Sequence, residues 1–272
     1  MPTIKELREI TQTIKVKNRE RPWLYVSLQR GPSIYLTKLL LLTKITANQV
    51  SILTIVSGLF GAIFIYISGF FYTLIGIIFF IFSVILDKTD GEIARFKKVF
   101  SLRGVFLDET YHLVIPSLFF VSMTISLIDQ KMFTMPYFLL LGSLAAISMS
   151  FIRIGHSLAP GIFVKKYLKH KELFKLPPSG EKTPVEKIKQ ESNILKIILN
   201  VVHQFQEFFM ILLTYLIVLL IEQYTDLENI LVLLTAIYGI LLPLVFIENT
   251  IKGFLQVEQR VSNLNNRFKT GE

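Results

Sequence analysis

Apolar residues in this chain fall in long, nearly unbroken runs and not in the narrow stripes of a water-soluble helix. The runs cover residues 50–67, 70–86, 104–127, 135–152, 201–221 and 230–247. A helix needs roughly 20 mostly apolar residues to cross a hydrocarbon core about 30 Å thick, so the pattern predicts six spanning helices. Gly69 marks a tight turn between the first two. The second run continues past Leu86 into a polar helical segment that ends near Arg95. Residues 1–30 are polar and read as a possibly helical arm. Gly31-Pro32 punctuates it, with Pro32 placed for the first turn of the next helix. Ser33 to Thr46 is apolar but too short to span, and it carries Lys38 and Lys44. It predicts an interfacial amphipathic helix whose lysines reach toward headgroups; a buried helix of the soluble type is the alternative. The expected fold is therefore an all-α integral membrane protein, with six transmembrane helices preceded by an interfacial amphipathic helix. Its parts are an N-terminal arm with the interfacial helix (1–46), a six-helix domain (47–252) with a polar loop at 165–196, and a C-terminal tail (253–272).

Composition strengthens the membrane reading. Of 272 residues, 52% are hydrophobic and 18% charged, below the roughly 25% charged of soluble domains. Cysteine is absent, which excludes disulfides and thiolate metal ligands. The first twenty residues include Lys5, Glu6, Arg8 and Glu9 and lack the apolar core of a cleavable signal peptide. A net charge of +9 would suit nucleic acid on an independent soluble domain. Here the basic residues lie beside the apolar runs, which points to lipid headgroups and against nucleic acid. With the N-terminus inside and six crossings, the outer connections fall near 68–70, 128–134 and 222–229, and Lys131 is their only basic residue. The positive-inside rule then places both termini in the cytoplasm.

The candidate chemistry sits in residues 87–112, at what this topology makes the cytoplasmic mouth of the second and third spans. Asp87, Asp90, Gly91, Ala94 and Arg95 fall at i, i+3, i+4, i+7 and i+8, one helix face. Gly104, Asp108 and His112 repeat every four residues at the start of the third span. Carboxylates at the end of a membrane-length segment are costly to keep and mark function. Two such faces meeting across a short turn have the shape of a polyvalent metal site. Hard oxygen ligands suit Mg²⁺ or Mn²⁺ bound together with substrate phosphates. Two divalent cations clamping a pyrophosphate would polarise it toward attack by a hydroxyl, and His112 is placed to take the proton. Gly91 lets a ligand approach the backbone, Ala94 keeps the next turn shallow, and Arg95 offers a planar fork for phosphate. Of the residues beside His112, only Glu109 at i−3 is spaced to orient the ring.

The string D-x-x-D-G-x-x-A-R, eight residues, G-x-x-x-D-x-x-x-D is the signature of the CDP-alcohol phosphotransferase family. The chain resembles it at Asp87, Asp90, Gly91, Ala94, Arg95, Gly104 and Asp108 with every spacing kept. Ile45 to Ser51 is similar to the family's stretch before the first span, with Ala47 in place of a common proline. The resemblance extends over roughly residues 30–250. It implies a homodimeric integral membrane enzyme that moves a phospho-alcohol group from a CDP-linked donor, such as CDP-diacylglycerol, to a second alcohol with release of CMP. It also implies that the first three aspartates hold two divalent cations and that the fourth is a metal neighbour and the general base. Asn48 would line the nucleotide pocket, with helix capping as the alternative, and Gly91, Ala94, Arg95 and Gly104 would accommodate the nucleotide side.

His112 stands where the fourth aspartate should be. A neutral imidazole is a good base near neutral pH, but it weakens an all-oxygen cage, and adjacent cations disfavour the imidazolium. The expectation is an active enzyme with His112 as base and metal neighbour. The competing reading is a membrane binding or scaffold relative that has lost catalysis. An ion transporter fares worse, because the acidic residues gather at one mouth with no charged chain through the spans. Arg153 and His156 end the fourth span, where an acceptor's phosphate or carboxylate would rest or where headgroups would anchor the helix. His203, Glu207, Glu248 and Asn249 are expected to face the protein interior on cost grounds. The acceptor stays open among glycerol phosphate, inositol phosphate, serine, or a diacylglycerol taking its headgroup from a soluble CDP-alcohol. The approach to the first span looks most like prokaryotic members acting on inositol phosphates or of unassigned substrate.

Overall fold

The apolar runs become helices packed side by side. A computed structural model describes residues 2–17, 23–131, 136–167, 207–225 and 227–270, and all of its regular structure there is helical. The helices are α1 (Ile4–Lys17), α2 (Trp23–Leu40), α3 (Ala47–Ile67), α4 (Phe70–Lys97), α5 (Leu102–Lys131), α6 (Pro136–Ile162), α7 (Phe208–Tyr224) and α8 (Ile230–Thr270), with a π-helical turn at Phe163–Tyr167 after α6. Five of them (α3, α4, α5, α6 and α8) are long and apolar enough to cross a membrane. The fifth expected span is shorter: α7 has 17 residues, and residues 201–206 before it lie outside the described part. So do residues 168–206 generally, with His203 and most of the polar loop.

Close backbone contact sets the packing of α3, α4 and α5. A Cβ added at Gly76 would stand 2.7 Å from the Gly61 carbonyl oxygen and 2.5 Å from Ile65 Cγ1. One at Gly58 would stand 2.5 Å from Ile115 Cγ2 on α5. Small residues at such crossings let membrane helices approach until dispersion contacts hold them. At the far end of the bundle the chain reverses through Ser68 and Gly69, both at positive φ (71° and 94°). Ser68 Oγ donates to the Ser126 carbonyl at 3.2 Å, tying this turn to α5. The bundle centre is aromatic. Phe80, Phe119 and Tyr215 from α4, α5 and α7 meet edge to face, with centroids 5.3 Å and 4.9 Å apart. The fully buried Tyr215 hydroxyl is satisfied by Thr235 Oγ1 of α8 at 2.9 Å.

The N-terminal helices depart from expectation. No new helix begins at Pro32: α2 starts at Trp23, runs through Pro32 and ends at Leu40. A proline inside a helix forfeits one backbone hydrogen bond and crowds the preceding turn. The compensation is a buried stripe, Gln29, Ser33, Ile34 and Thr37, that docks on α4. The helix is also inside out relative to an ordinary amphipathic helix. Its small polar groups face protein, while Leu28, Tyr35 and Leu39 are exposed. Leu41 to Thr46 is not helical.

Candidate active site

Three chain segments converge where α3 and α5 begin and α4 ends. Thr46 caps α3 in a reciprocal box: its Oγ1 accepts from the Gln49 amide at 3.3 Å, and Gln49 Oε1 accepts from the Thr46 amide at 2.8 Å. Asn48 is therefore not the cap. Its Oδ1 accepts from Ser101 Oγ at 2.8 Å, and Ser101 Oγ accepts from the Gly104 amide at 3.0 Å. A Cβ at Gly104 would stand 2.9 Å from Asn48 Oδ1. Asn48 and Gly104 thus join the start of α3 to the start of α5, and this seam fixes how α5 presents its first two turns.

Those turns bring Asp108 and His112 against Asp87 of α4. His112 Nε2 lies 3.5 Å from Asp87 Oδ1 and 3.6 Å from Asp108 Oδ1. One ligand atom from each of the three residues falls within 4.8 Å of the others, a group that could hold a metal ion. The Asp87 side chain is 4% exposed and that of Asp108 is 41% exposed, so the site opens past α5. Lys88 Nζ lies 2.5 Å from Asp87 Oδ2. An ammonium drawn to a nearly buried carboxylate shows how strongly the cluster demands positive charge. Two carboxylates and an imidazole in one cradle, with a cation already pulled in, fit a divalent ion.

Asp90 is one turn away and its carboxylate has a different partner. Ser51 Oγ of α3 donates to Asp90 Oδ2 at 2.6 Å. The sequence places Asp87 and Asp90 on one face, which holds for the backbone, yet only Asp87 joins the three-residue group. The other motif residues lie one and two turns further along α4. Arg95 folds back over Gly91, where an added Cβ would stand 3.1 Å from one terminal guanidinium nitrogen and 3.4 Å from the other. Ala94 is half-buried beside it.

Arg153 reaches the site from α6, and its terminal nitrogen is 3.5 Å from Asp108 Oδ2. Its fork is closed on Glu109, with Nε to Oε2 at 3.0 Å and the terminal nitrogen to Oε1 at 2.8 Å. Glu109 therefore binds Arg153 and does not orient the His112 ring. Tyr111 packs on that ring instead, edge to face with centroids 5.0 Å apart. The backbone of His156 belongs to α6, and its side chain lies outside the described residues. Glu248 pairs with Lys252 one turn on in α8, so its partner is on its own helix.

Sequence reasoning did not find Ser51, Lys88, Glu92 or Ser101. Ser51 and Ser101 are 39 and 53 residues from the groups they hold, and nothing in a single sequence announces such a pairing. Lys88 and Glu92 occupied variable positions of the motif.

These features define a class first: an all-helical, multi-pass membrane protein with an acidic site where three of its helices meet. The profile of the CDP-alcohol phosphatidyltransferase family matches residues 44–241, and the chain belongs to that family. Membership implies a CDP-alcohol phosphotransferase. A comparison with curated proteins finds no match.

Proposed function

We propose that the protein is a membrane-embedded transferase of phospholipid biosynthesis. It moves a phosphatidyl group from CDP-diacylglycerol, or a similar CDP-linked donor, to the hydroxyl of a small acceptor alcohol. The observation that carries this reading is the convergence of Asp87, Asp108 and His112 inside the family motif. Asp87, Asp90 and Asp108, with His112 as neighbour, would hold two divalent cations, Mg²⁺ or Mn²⁺, which supply positive charge to the donor pyrophosphate.

The remaining work falls to side chains. Gly91 and Ala94 leave room for the nucleotide portion, and the terminal nitrogens of Arg95 take phosphate oxygens. The Asn48–Ser101–Gly104 seam walls the nucleotide side. The acceptor enters past Asp108, beside Arg153 and His156. His112 Nε2 takes the hydroxyl proton as the acceptor oxygen bonds to the phosphorus carrying the diacylglycerol. The bond from that phosphorus to the bridging oxygen breaks, and CMP leaves with the electron pair. One nitrogen lone pair cannot bind a cation and accept a proton together, so we assign it to the proton during turnover.

Six spans, with α7 as the fifth, put both termini and the site on the cytoplasmic side. Two copies would associate as a homodimer. The exposed apolar stripe of α2 would lie in the interface. The test is purified protein in detergent with CDP-diacylglycerol, Mg²⁺ or Mn²⁺ and a panel of glycerol phosphate, inositol phosphate and serine. Acceptor-dependent CMP release is expected. Donor binding with no CMP release from any acceptor would favour a non-catalytic relative.

A further inference from the structure

Glu92 lies on α4 five residues beyond Asp87 and has no exposed surface. Its carboxylate is met by neutral donors from both N-terminal helices. Gln12 Nε2 of α1 and Ser33 Oγ of α2 each donate to Oε1 at 2.8 Å, and Thr37 Oγ1 of α2 donates to Oε2 at 2.6 Å. Gln12 Nε2 also reaches the Arg30 carbonyl at 3.1 Å, which ties α1 to α2 at the same point. A carboxylate taken wholly out of water costs several kcal/mol unless its lone pairs are used, and here three donors use them. An apolar side chain would hold two helices together more cheaply, so a buried carboxylate calls for another explanation.

The adjoining contact supplies one. Thr11, immediately before Gln12, offers its carbonyl to Arg95 Nε at 2.7 Å. With Nε so engaged, the guanidinium is oriented with its two terminal nitrogens over the notch at Gly91. A planar fork fixed through Nε presents the remaining donors in one direction and loses little further entropy on meeting a phosphate.

We propose that Glu92 is a positioning residue. It holds α1 against the motif helix so that the Thr11 carbonyl aims Arg95 at the donor phosphates. The N-terminal arm, outside residues 44–241 that match the family, thereby becomes part of the donor site. This rests on the assignment of Arg95 to the donor made above.

The experiment compares steady-state kinetics of full-length wild type with Glu92→Gln, Gln12→Ala, Arg95→Ala and the Glu92→Gln/Arg95→Ala double variant. Glu92→Gln is expected to raise KM for CDP-diacylglycerol about tenfold, leave kcat within about twofold and leave KM for the acceptor unchanged. The double variant should be no worse than Arg95→Ala alone, because both changes remove one interaction. Additive losses, a fall in kcat with KM unchanged, or wild-type kinetics in Glu92→Gln would overturn the proposal. Should Glu92→Gln fail to fold, Gln12→Ala, which keeps the carboxylate and both hydroxyl donors, carries the same comparison with a smaller rise in KM. A wild type that releases no CMP ends the transferase reading by itself. Calorimetric binding of CDP with Mg²⁺ then decides the positioning role, with about tenfold weaker binding in Glu92→Gln supporting it and equal binding rejecting it. Absence of CDP binding in the wild type would overturn both.

Discussion

Asp87 and Glu92 are acidic residues five positions apart on the same helix, both buried, and the protein treats them in opposite ways. Glu92 is completed from within: three neutral donors reach it, and its side chain has no exposed surface. Asp87 is crowded by Asp108 and His112, and Lys88 leans in from the adjacent position. A satisfied carboxylate is a joint, because nothing more is needed to hold it. A carboxylate set beside another at the open end of the bundle needs positive charge from outside, and such incompleteness marks a place where something binds. The lesson is that burial of a charge says little until its partners are counted.

Changes on the two sides should separate along activity and stability. The largest effect is expected at the incomplete centre. Asp87→Asn and Asp108→Asn should each lower metal-dependent CMP release by at least about 10³-fold, several kcal/mol of lost charge stabilisation. The melting temperature of Asp108→Asn should hold or rise, because its repulsion with Asp87 is relieved, whereas Asp87→Asn also strands the Lys88 ammonium and should lower it. EDTA should reproduce the loss in the wild type, with recovery on adding Mg²⁺ or Mn²⁺. His112→Ala should cost about 10²- to 10⁴-fold in kcat while donor binding survives, and unchanged turnover would remove His112 from the chemistry. At the completed centre the order reverses. Glu92→Ala strands three buried donors, at about 1–3 kcal/mol each, and should lower the melting temperature while also raising the donor KM, with kcat little changed. A melting temperature equal to wild type would erase the contrast. The smallest effect is expected at Ser51→Ala, which removes the hydroxyl on Asp90 and should weaken metal affinity about tenfold, as loss of an outer-shell partner does; titration with Mn²⁺ reads it directly.

The apolar helices and the acidic face at 87–112 were legible because each rests on a period. Runs of membrane length announce α3 to α6 and α8, and the four-residue rhythm of Gly104, Asp108 and His112 survives unchanged in α5. What the sequence hid lies between helices. Ser51 and Ser101 look like ordinary small polar residues, and only the packed bundle sets them against Asp90 and Asn48. Spacing within one helix makes Glu109 a candidate to orient the His112 ring, yet a guanidinium from α6 offers it a bidentate partner that no local geometry can match. Gly31-Pro32 read as a helix start because local signals argue for one. Docking of the Gln29–Ser33–Thr37 stripe onto α4 outweighed them. The same stripe hid Glu92's partners, since serine and threonine within an apolar run give no sign of facing a carboxylate.

The last helix does not stop where its apolar stretch does. α8 runs 41 residues from Ile230 to Thr270, and at 1.5 Å per residue its contour is about 60 Å, twice the thickness of a bilayer's hydrocarbon core of about 30 Å. Its far half packs through Val261 on Phe163, just past the end of α6, and α6 carries Arg153 to Asp108 and Glu109. Anything that grips the C-terminal segment therefore pulls on a spar whose brace stands ten residues from that arginine, so an affinity tag or an antibody fragment placed there bears on the helix that holds Asp108 and Glu109 through Arg153.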